Sequence, residues 1–367
     1  MDKTALELEQ RILVLIACGV TTPTTDEEFN RLAREVFAFQ YERCAPYRAY
    51  CDRVKWTPQN VSHWKQIPAV PTSAFKDFAL TCFPVAEAVA EFHTSGTTRE
   101  KAGKHYLRTL ELYESAIGPN FAVHLLPDGA RLRMMVLMPS PTEAPHSSLS
   151  HMMGVVVRES GMLDSEYYVE DGTLLVERVV EDLTGAQAAR QPVFLLGTAF
   201  AFVHLLDHLT RQGIPFKLAD GSRVMETGGF KGRSREMTKA ELYQWIEHLI
   251  GIPKTRIVNE YGMTELSTQF YDVTMQTGRQ TDIKMVPPWA RALIIDPNTG
   301  REAAKNEHGL IRVYDLANFW SIMCVQTEDL GVARAETTAG DRFEVLGRAP
   351  GAEVRGCSLN AEDLKTT

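Results

Sequence analysis

Three groups of residues in this chain have the types and spacing that chemistry needs. The first is His93-Thr94-Ser95-Gly96-Thr97-Thr98, rich in hydroxyls and glycine. Binding a polyphosphate calls for backbone N–H groups and hydroxyls that wrap an anion, and for glycine where the backbone must come close. Arg99, Lys101 and Lys104 follow with positive charge. The second is Asn259-Glu260-Tyr261-Gly262-Met263-Thr264-Glu265, which carries a ring, a hydroxyl and a carboxylate just after a predicted strand. Such a ring can stack on a flat base, the Thr264 hydroxyl can touch phosphate, and Glu265 can hold Mg²⁺ as a hard oxygen donor. The third is Cys357, ten residues from the C-terminus, with Arg355 and Arg348 close in sequence. A thiolate is the reactive form of cysteine, and nearby positive charge favours it. Each group also has an ordinary alternative: a surface turn, a bend around a buried tyrosine, and an inert cysteine on a terminal strand.

The rest of the sequence narrows the class. There is no G-x-x-x-x-G-K-[ST] loop and no G-x-G-x-x-G fingerprint. A chain of 367 residues is too long for one simple core. Its net charge of −8, with no basic block, argues against nucleic acid as a partner. The apolar run at residues 12–17 follows Asp2, Glu7 and Glu9, which a signal peptide would not carry, and it is too short to span a bilayer. It reads as one face of an amphipathic helix in a cytoplasmic protein. The six cysteines show no C-x-x-C pair, so free thiols are expected, with Cys18, Cys44, Cys51, Cys82 and Cys324 in the core.

The elements that must position these groups are legible in outline. Thr25 before Asp26-Glu27-Glu28 predicts a helix start, with Phe29, Leu32, Val36 and Phe37 on one face. Pro46, Pro58, Pro68 and Pro71 break up the stretch after that helix. Residues 134–138, 154–158 and 193–196 read as buried strands, and 199–211 as a helix closed by Gly213. Thr238-Lys239-Ala240-Glu241 is a capping box for a helix ended by Gly251 and Pro253, and residues 256–258 form the next strand. Alternating strands and helices imply a mostly parallel sheet with helices on both faces. Its strand ends are where such sheets bind ligands. Residues 292–295, 310–313 and 342–346 read as short strands of a smaller β-rich subdomain.

The two loops, in this order, resemble the S-G-T-T and Y-G-x-T-E signatures of the adenylate-forming superfamily. The resemblance continues in sequence. Gly228-Gly229 matches a glycine turn that contacts adenine. Glu307-His308-Gly309-Leu310-Ile311-Arg312-Val313 is similar to a G-E-L-x-V strand. Thr327-Glu328-Asp329 is similar to a T-G-D element whose aspartate grips ribose. Gly347-Arg348 followed by Glu353-Val354-Arg355-Gly356 is similar to a hinge whose arginine also contacts ribose. Glu328 departs from the glycine of that element, which leaves the local turn in question. The superfamily's mobile C-terminal domain, with its lysine, is not expected in a chain that stops at Thr367. In that respect, and in Ile67-Pro68-Ala69-Val70-Pro71-Thr72-Ser73-Ala74-Phe75-Lys76, Met225-Glu226-Thr227-Gly228-Gly229-Phe230-Lys231-Gly232 and Arg355-Gly356-Cys357-Ser358, the chain resembles the acyl-protein synthetases of bacterial bioluminescence fatty-acid reductase complexes.

The resemblance has concrete implications. The fold is expected to be α/β, like the N-terminal domain of adenylate-forming enzymes: layered, mostly parallel sheets with helices, plus a smaller β-rich subdomain. The expected parts are a helical segment at 1–90, an α/β core at 91–288, a β-rich subdomain at 289–346, and a hinge and tail at 347–367. ATP is held by Thr94, Ser95, Gly96, Thr97, Thr98, Gly228, Gly229, Tyr261, Gly262, Thr264, Asp329 and Arg348, and Mg²⁺ by Glu265. A carboxylic acid, by the resemblance a fatty acid, becomes an acyl-adenylate and passes to Cys357 as a thioester. An acyl-reductase partner then receives it. The nine residues from Arg348 to Cys357 reach at most about 30 Å when extended, so the thiol is a tethered acceptor. His151, or His146, is the candidate to orient the carboxylate at the acyl pocket. The alternative reading is a stand-alone acyl-CoA or acyl-carrier-protein ligase of the phenylacetate-CoA-ligase type. A non-catalytic ATP-binding subunit is the third.

Overall fold

A computed structural model of the chain describes residues 3–94, 102–228, 237–334 and 341–349. They form two compact units. One takes the described parts of Met1–Pro119, Met263–Phe270 and Ile283–Thr367, and the other takes Asn120–Gly262 and Tyr271–Asp282. The chain passes from the second to the first between Gly262 and Met263, inside the second motif.

The second unit is built on a sheet with strand order Phe270–Tyr271, Ile257–Tyr261, Arg223–Thr227, Val193–Thr198, Arg133–Pro139, Glu166–Glu170, Thr173–Leu174. The central pairings are parallel, with Val224 opposite Ile257, Leu195 opposite Val224 and Met135 opposite Leu195. Continuous burial from Val193 to Gly197 explains why that strand reads as an apolar run. Its helices start and stop as the sequence predicts. Thr198 caps Ala199–Gln212 through the Ala201 amide, and Gly213 closes it in the left-handed region. Thr238 and Glu241 form a reciprocal capping box for Lys239–Ile250, closed by Gly251. Leu205, Leu209, Leu242, Ile246 and Ile250 bury against the sheet residues Leu195, Val224 and Ile257.

One predicted strand is corrected. Residues 154–158 lie inside the helix Ser148–Ser160. The β-branched run Val155-Val156-Val157 reads as strand. However, the Ser147 hydroxyl accepts from the Ser150 amide at 3.1 Å and starts a helix, with Met152, Met153, Val155 and Val156 on its buried face.

The first unit is built on an antiparallel sheet with strand order Ile283–Met285, Arg342–Arg348, Cys324–Ala333, His308–Asp315, Ala290–Ile295, and Val70–Pro71 lies parallel beside Cys324–Ala333. The N-terminal helices Lys3–Ala17, Asp26–Arg43 and Ala45–Arg53 belong to this unit. The buried Gln40 ties the second of them to the connection between His308–Asp315 and Cys324–Ala333. Its Nε2 donates to the carbonyls of Asn318 and Phe319, and its Oε1 accepts from the Met323 amide. The Trp64 and Tyr314 rings meet edge-on at 4.8 Å. A two-stranded hairpin, Ala90–His93 with Lys104–Leu107, completes the unit.

Cys44, Cys51, Cys82 and Cys324 are buried, as predicted, and Cys18 is exposed, which corrects its assignment to the core. The first helix buries Leu8, Ile12 and Ile16, and Cys18 falls about 200° round the helical wheel from Ile16, just beyond the helix end. No helix among the described residues is long and apolar enough to cross a membrane.

Candidate functional site

The hairpin is the frame of the first motif. His93 sits opposite Lys104, and residues 95–101 connect the two strands, so Thr94 stands at the neck of the loop. The Thr94 amide donates to the Gly103 carbonyl at 2.9 Å. The Gly103 amide returns the bond to Thr94 Oγ1 at 2.9 Å. A Cβ at Gly103 would lie 3.2 Å from Thr94 Cγ2 and 3.4 Å from the Phe75 carbonyl carbon, so Thr94 would have to give by a few tenths of an ångström. Below the neck, Glu91 accepts from Lys104 Nζ at 2.9 Å and lies 2.5 Å from His93 Nε2. Lys104 first, and then His93, holds the Glu91 carboxyl below its ordinary range. Ser95, Gly96, Thr97 and Thr98 lie outside the described residues.

The second half of the second motif docks on this hairpin. Thr264 Oγ1 donates to the His93 carbonyl at 3.2 Å, and the Thr264 carbonyl lies 2.8 Å from His105 Nδ1. The loop neck and Thr264 are thus joined within one unit. Glu265, the next residue, is buried, and its own carbonyl accepts from Asn318 Nδ2 at 2.7 Å. Burial pushes the Glu265 carboxyl up to about 7. The Arg348 guanidinium opposes that rise, and the Asp329 and Glu328 carboxylates add to it.

Asp329 and Arg348 face each other across the antiparallel pair of Cys324–Ala333 and Arg342–Arg348. Arg348 Nη1 lies 3.5 Å from Glu328 Oε2. The turn left in question by Glu328 is strand, and Glu328 has no positive φ, so glycine is not required there. The Asp329 amide donates to Thr327 Oγ1 at 3.2 Å. Glu265, Glu328, Asp329 and Arg348 therefore form one electrostatic neighbourhood of three carboxyls and a guanidinium. The three carboxyls offer hard oxygens that suit a divalent cation, and the guanidinium and carboxyls together suit the hydroxyls of a sugar.

In the other unit, Gly228 and Tyr261 stand at the carboxyl ends of neighbouring parallel strands, with Thr227 opposite Glu260. Gly228 has φ +80°, which a side chain would strain, although no described residue crowds it. Under these ends the buried Glu226 accepts from Tyr243 Oη at 2.9 Å and from Asn259 Nδ2 at 2.8 Å, and Thr227 Oγ1 donates to Glu260. Asp272 accepts from the Asn259 amide at 2.7 Å. Gly262 is exposed. His151 lies in the first turn of Ser148–Ser160 and is half-buried. Gly229 and Cys357 lie outside the described residues. Burial pushes the thiols of Cys44 and Cys324 up to about 11 and about 12, and those of Cys51 and Cys82 well up, which leaves all four unreactive.

Sequence reasoning missed His105 and Glu328. The signal for His105 was its place on the inward face of a short strand beside a phosphate-type loop, with Leu107 on the same face.

A family model described as acyl-protein synthetase, LuxE, matches residues 21–365. The long-chain-fatty-acid–luciferin-component ligase of Aliivibrio fischeri is 26% identical over 345 residues, covering 91% of this chain and 88% of the relative. Its counterpart from Vibrio harveyi is 23% identical, with 92% and 88% covered. Among solved structures, 2-hydroxyisobutyryl-CoA ligase in its postadenylation state with 2-HIB-AMP aligns with a TM-score of 0.68 at 14% identity, over 89% of this chain and 69% of that one. ATP-bound MatB from Rhodopseudomonas palustris aligns with a TM-score of 0.51 at 16% identity, over 74% and 50%. These structural likenesses establish the adenylate-forming fold, with its mixed α/β core and antiparallel subdomain.

Proposed function

This chain belongs to the LuxE family of acyl-protein synthetases and is a ligase, and from that premise we propose that it activates a long-chain fatty acid with ATP and carries the acyl group onward as a thioester. The observation that carries the reading is the pair of hydrogen bonds joining Thr264 to both strands of the hairpin, at His93 and at His105. They put the neck of a phosphate-type loop and the Thr264-Glu265 pair into one compact unit.

In the first step a fatty-acid carboxylate oxygen attacks the α-phosphorus of ATP. The bond from that phosphorus to the bridging oxygen breaks, and pyrophosphate leaves. The product is an acyl-adenylate, a mixed anhydride. In the second step the Cys357 thiolate attacks the acyl carbon, AMP leaves with the bonding pair, and a thioester forms. In the third a nucleophile of an acyl-reductase partner attacks the thioester carbon, the carbon–sulfur bond breaks, and the Cys357 thiolate leaves.

Residues 94–98 surround the β- and γ-phosphates, and Thr264 borders them with its hydroxyl proton on the His93 carbonyl. Gly228, Gly229, Tyr261 and Gly262 border adenine. Asp329 and Arg348 meet the ribose hydroxyls. His151 orients the carboxylate. The donor set fits Mg²⁺: Glu265 is a buried carboxyl with two further carboxylates in its neighbourhood, and all the donors are hard oxygens. Bound there, the ion supplies charge neutralisation on the phosphates.

The test is intact-mass measurement after incubation with ATP, Mg²⁺ and a panel of carboxylic acids. Wild type gains the mass of a long-chain acid less one water, and hydroxylamine removes it. Cys357→Ala gains nothing. A thioester on Cys357→Ala, or acyl-CoA released on adding CoA with no adduct on the wild type, overturns the reading.

A further inference from the structure

We propose that His105 is a positioning residue for the ATP-dependent step, its Nδ1–H holding the Thr264 carbonyl so that the neck of the phosphate loop and the Glu265 carboxyl stay in fixed register. The inference rests on the function proposed above and extends it to a side chain outside both motifs.

His105 is 3% exposed. It lies on the inward face of the strand Lys104–Leu107, opposite Phe92, with the Phe75 ring edge-on at 5.9 Å. A buried polar ring is costly unless it is hydrogen-bonded, and here the Thr264 carbonyl supplies that bond. A carbonyl oxygen only accepts, so the 2.8 Å contact with Thr264 requires the proton on Nδ1. Burial pushes the imidazole down to about 4, so the ring is neutral at physiological pH and keeps that single donor.

The bond is half of a pair. Thr264 is bonded to each strand of the hairpin: its hydroxyl donates to His93 on one, and its carbonyl accepts from His105 on the other. Two bonds to two strands fix both position and orientation of a peptide unit, where one leaves it free to pivot. The carboxyl of the following residue is fixed along with it. Asn318 holds the far side through the Glu265 carbonyl.

The experiment compares His105→Leu and His105→Asn with wild type in fatty-acid-dependent exchange of labelled pyrophosphate into ATP. Asparagine keeps an N–H donor near the Nδ1 position, and leucine keeps only bulk. His105→Leu is expected to raise the KM for MgATP about tenfold, the scale of one lost hydrogen bond, with the KM for the acid unchanged. His105→Asn is expected to restore the wild-type KM for MgATP to within about threefold. A purely structural role moves both KM values together, follows the melting temperature, and does not separate the variants. That pattern overturns the inference, as does an unchanged KM for MgATP in His105→Leu. A wild type without acid-dependent exchange defeats the function proposed above instead. The position of the proton is decided separately, by ¹⁵N shifts of the imidazole in the unliganded protein. Protonated Nδ1 with bare Nε2 supports the proposal, and the opposite tautomer overturns it.

Discussion

The two halves of one motif are held by different physics. Tyr261 ends a strand, and the parallel ladder that pairs Glu226 with Asn259 and Thr227 with Glu260 fixes where it ends. Three and four residues on, Thr264 and Glu265 have no such ladder. Bonds to His105, His93 and Asn318 hold them, from distant parts of the sequence. A site end built by a sheet should survive single side-chain changes. One built by individual hydrogen bonds and a buried charge should not.

Glu265→Gln is the strongest test of that difference. Fatty-acid-dependent pyrophosphate exchange should fall by about 10²–10³-fold, the usual cost of removing a preorganised electrostatic group. Stability should not fall with it, because the amide spares the fold a buried charge. The pH dependence gives the sign. The Glu265 carboxyl is raised in the folded state from 4.5 to about 7, so the folded state binds more protons than the unfolded between those values. Its contribution is fully present below pH 4.5 and is lost as pH rises to about 7, by about 3 kcal/mol in total. Urea unfolding at pH 5 and pH 8, without nucleotide or metal, should show this fall in wild type and a flatter profile in Glu265→Gln. An equal slope in both removes the buried-charge half of the comparison.

Gly228→Ala probes the ladder-built half. Its cost is backbone strain at φ +80°, about 1–2 kcal/mol by thermal or urea unfolding, with no clash among the described residues. Thr264→Val deletes only the hydroxyl bonded to His93. The stability loss should be about 1 kcal/mol, with a several-fold rise in KM for MgATP that Gly228→Ala exceeds only if the ladder does not protect its end.

Legibility in the sequence divides along the same line. The ladder-built half was largely visible: the apolar run at 193–196, the Thr238 capping box and the glycines at 213 and 251 are local signals, and local signals survive in one dimension. The strand read at 154–158 failed because β-branched residues speak for strands while the Ser147 cap speaks for a helix, and the cap won. The bonds of Thr264 were invisible because their partners lie 159 and 171 residues away, and nothing in a histidine's type announces which carbonyl it will meet. The burial of Glu265 is likewise a product of tertiary packing.

The smallest expected effect lies far from both halves in sequence and has the opposite sign in pH. Asp128 accepts from the buried Arg223 at 2.9 and 2.7 Å, and that guanidinium lowers its carboxyl to about 2. Its stabilisation is present above the ordinary aspartate range and is lost as pH falls toward 2. With the Asp128 side chain 49% exposed, solvent screening keeps it under about 1 kcal/mol. Asp128→Asn should therefore leave exchange unchanged and slightly shift acid unfolding.

The most direct measurement is exchange of labelled pyrophosphate into ATP by the wild-type chain and by Cys357→Ala, with and without a long-chain fatty acid. Exchange that requires both the acid and Mg²⁺, and that persists in Cys357→Ala, is the predicted result. Its absence from the wild type, or exchange indifferent to the acid, would contradict the account.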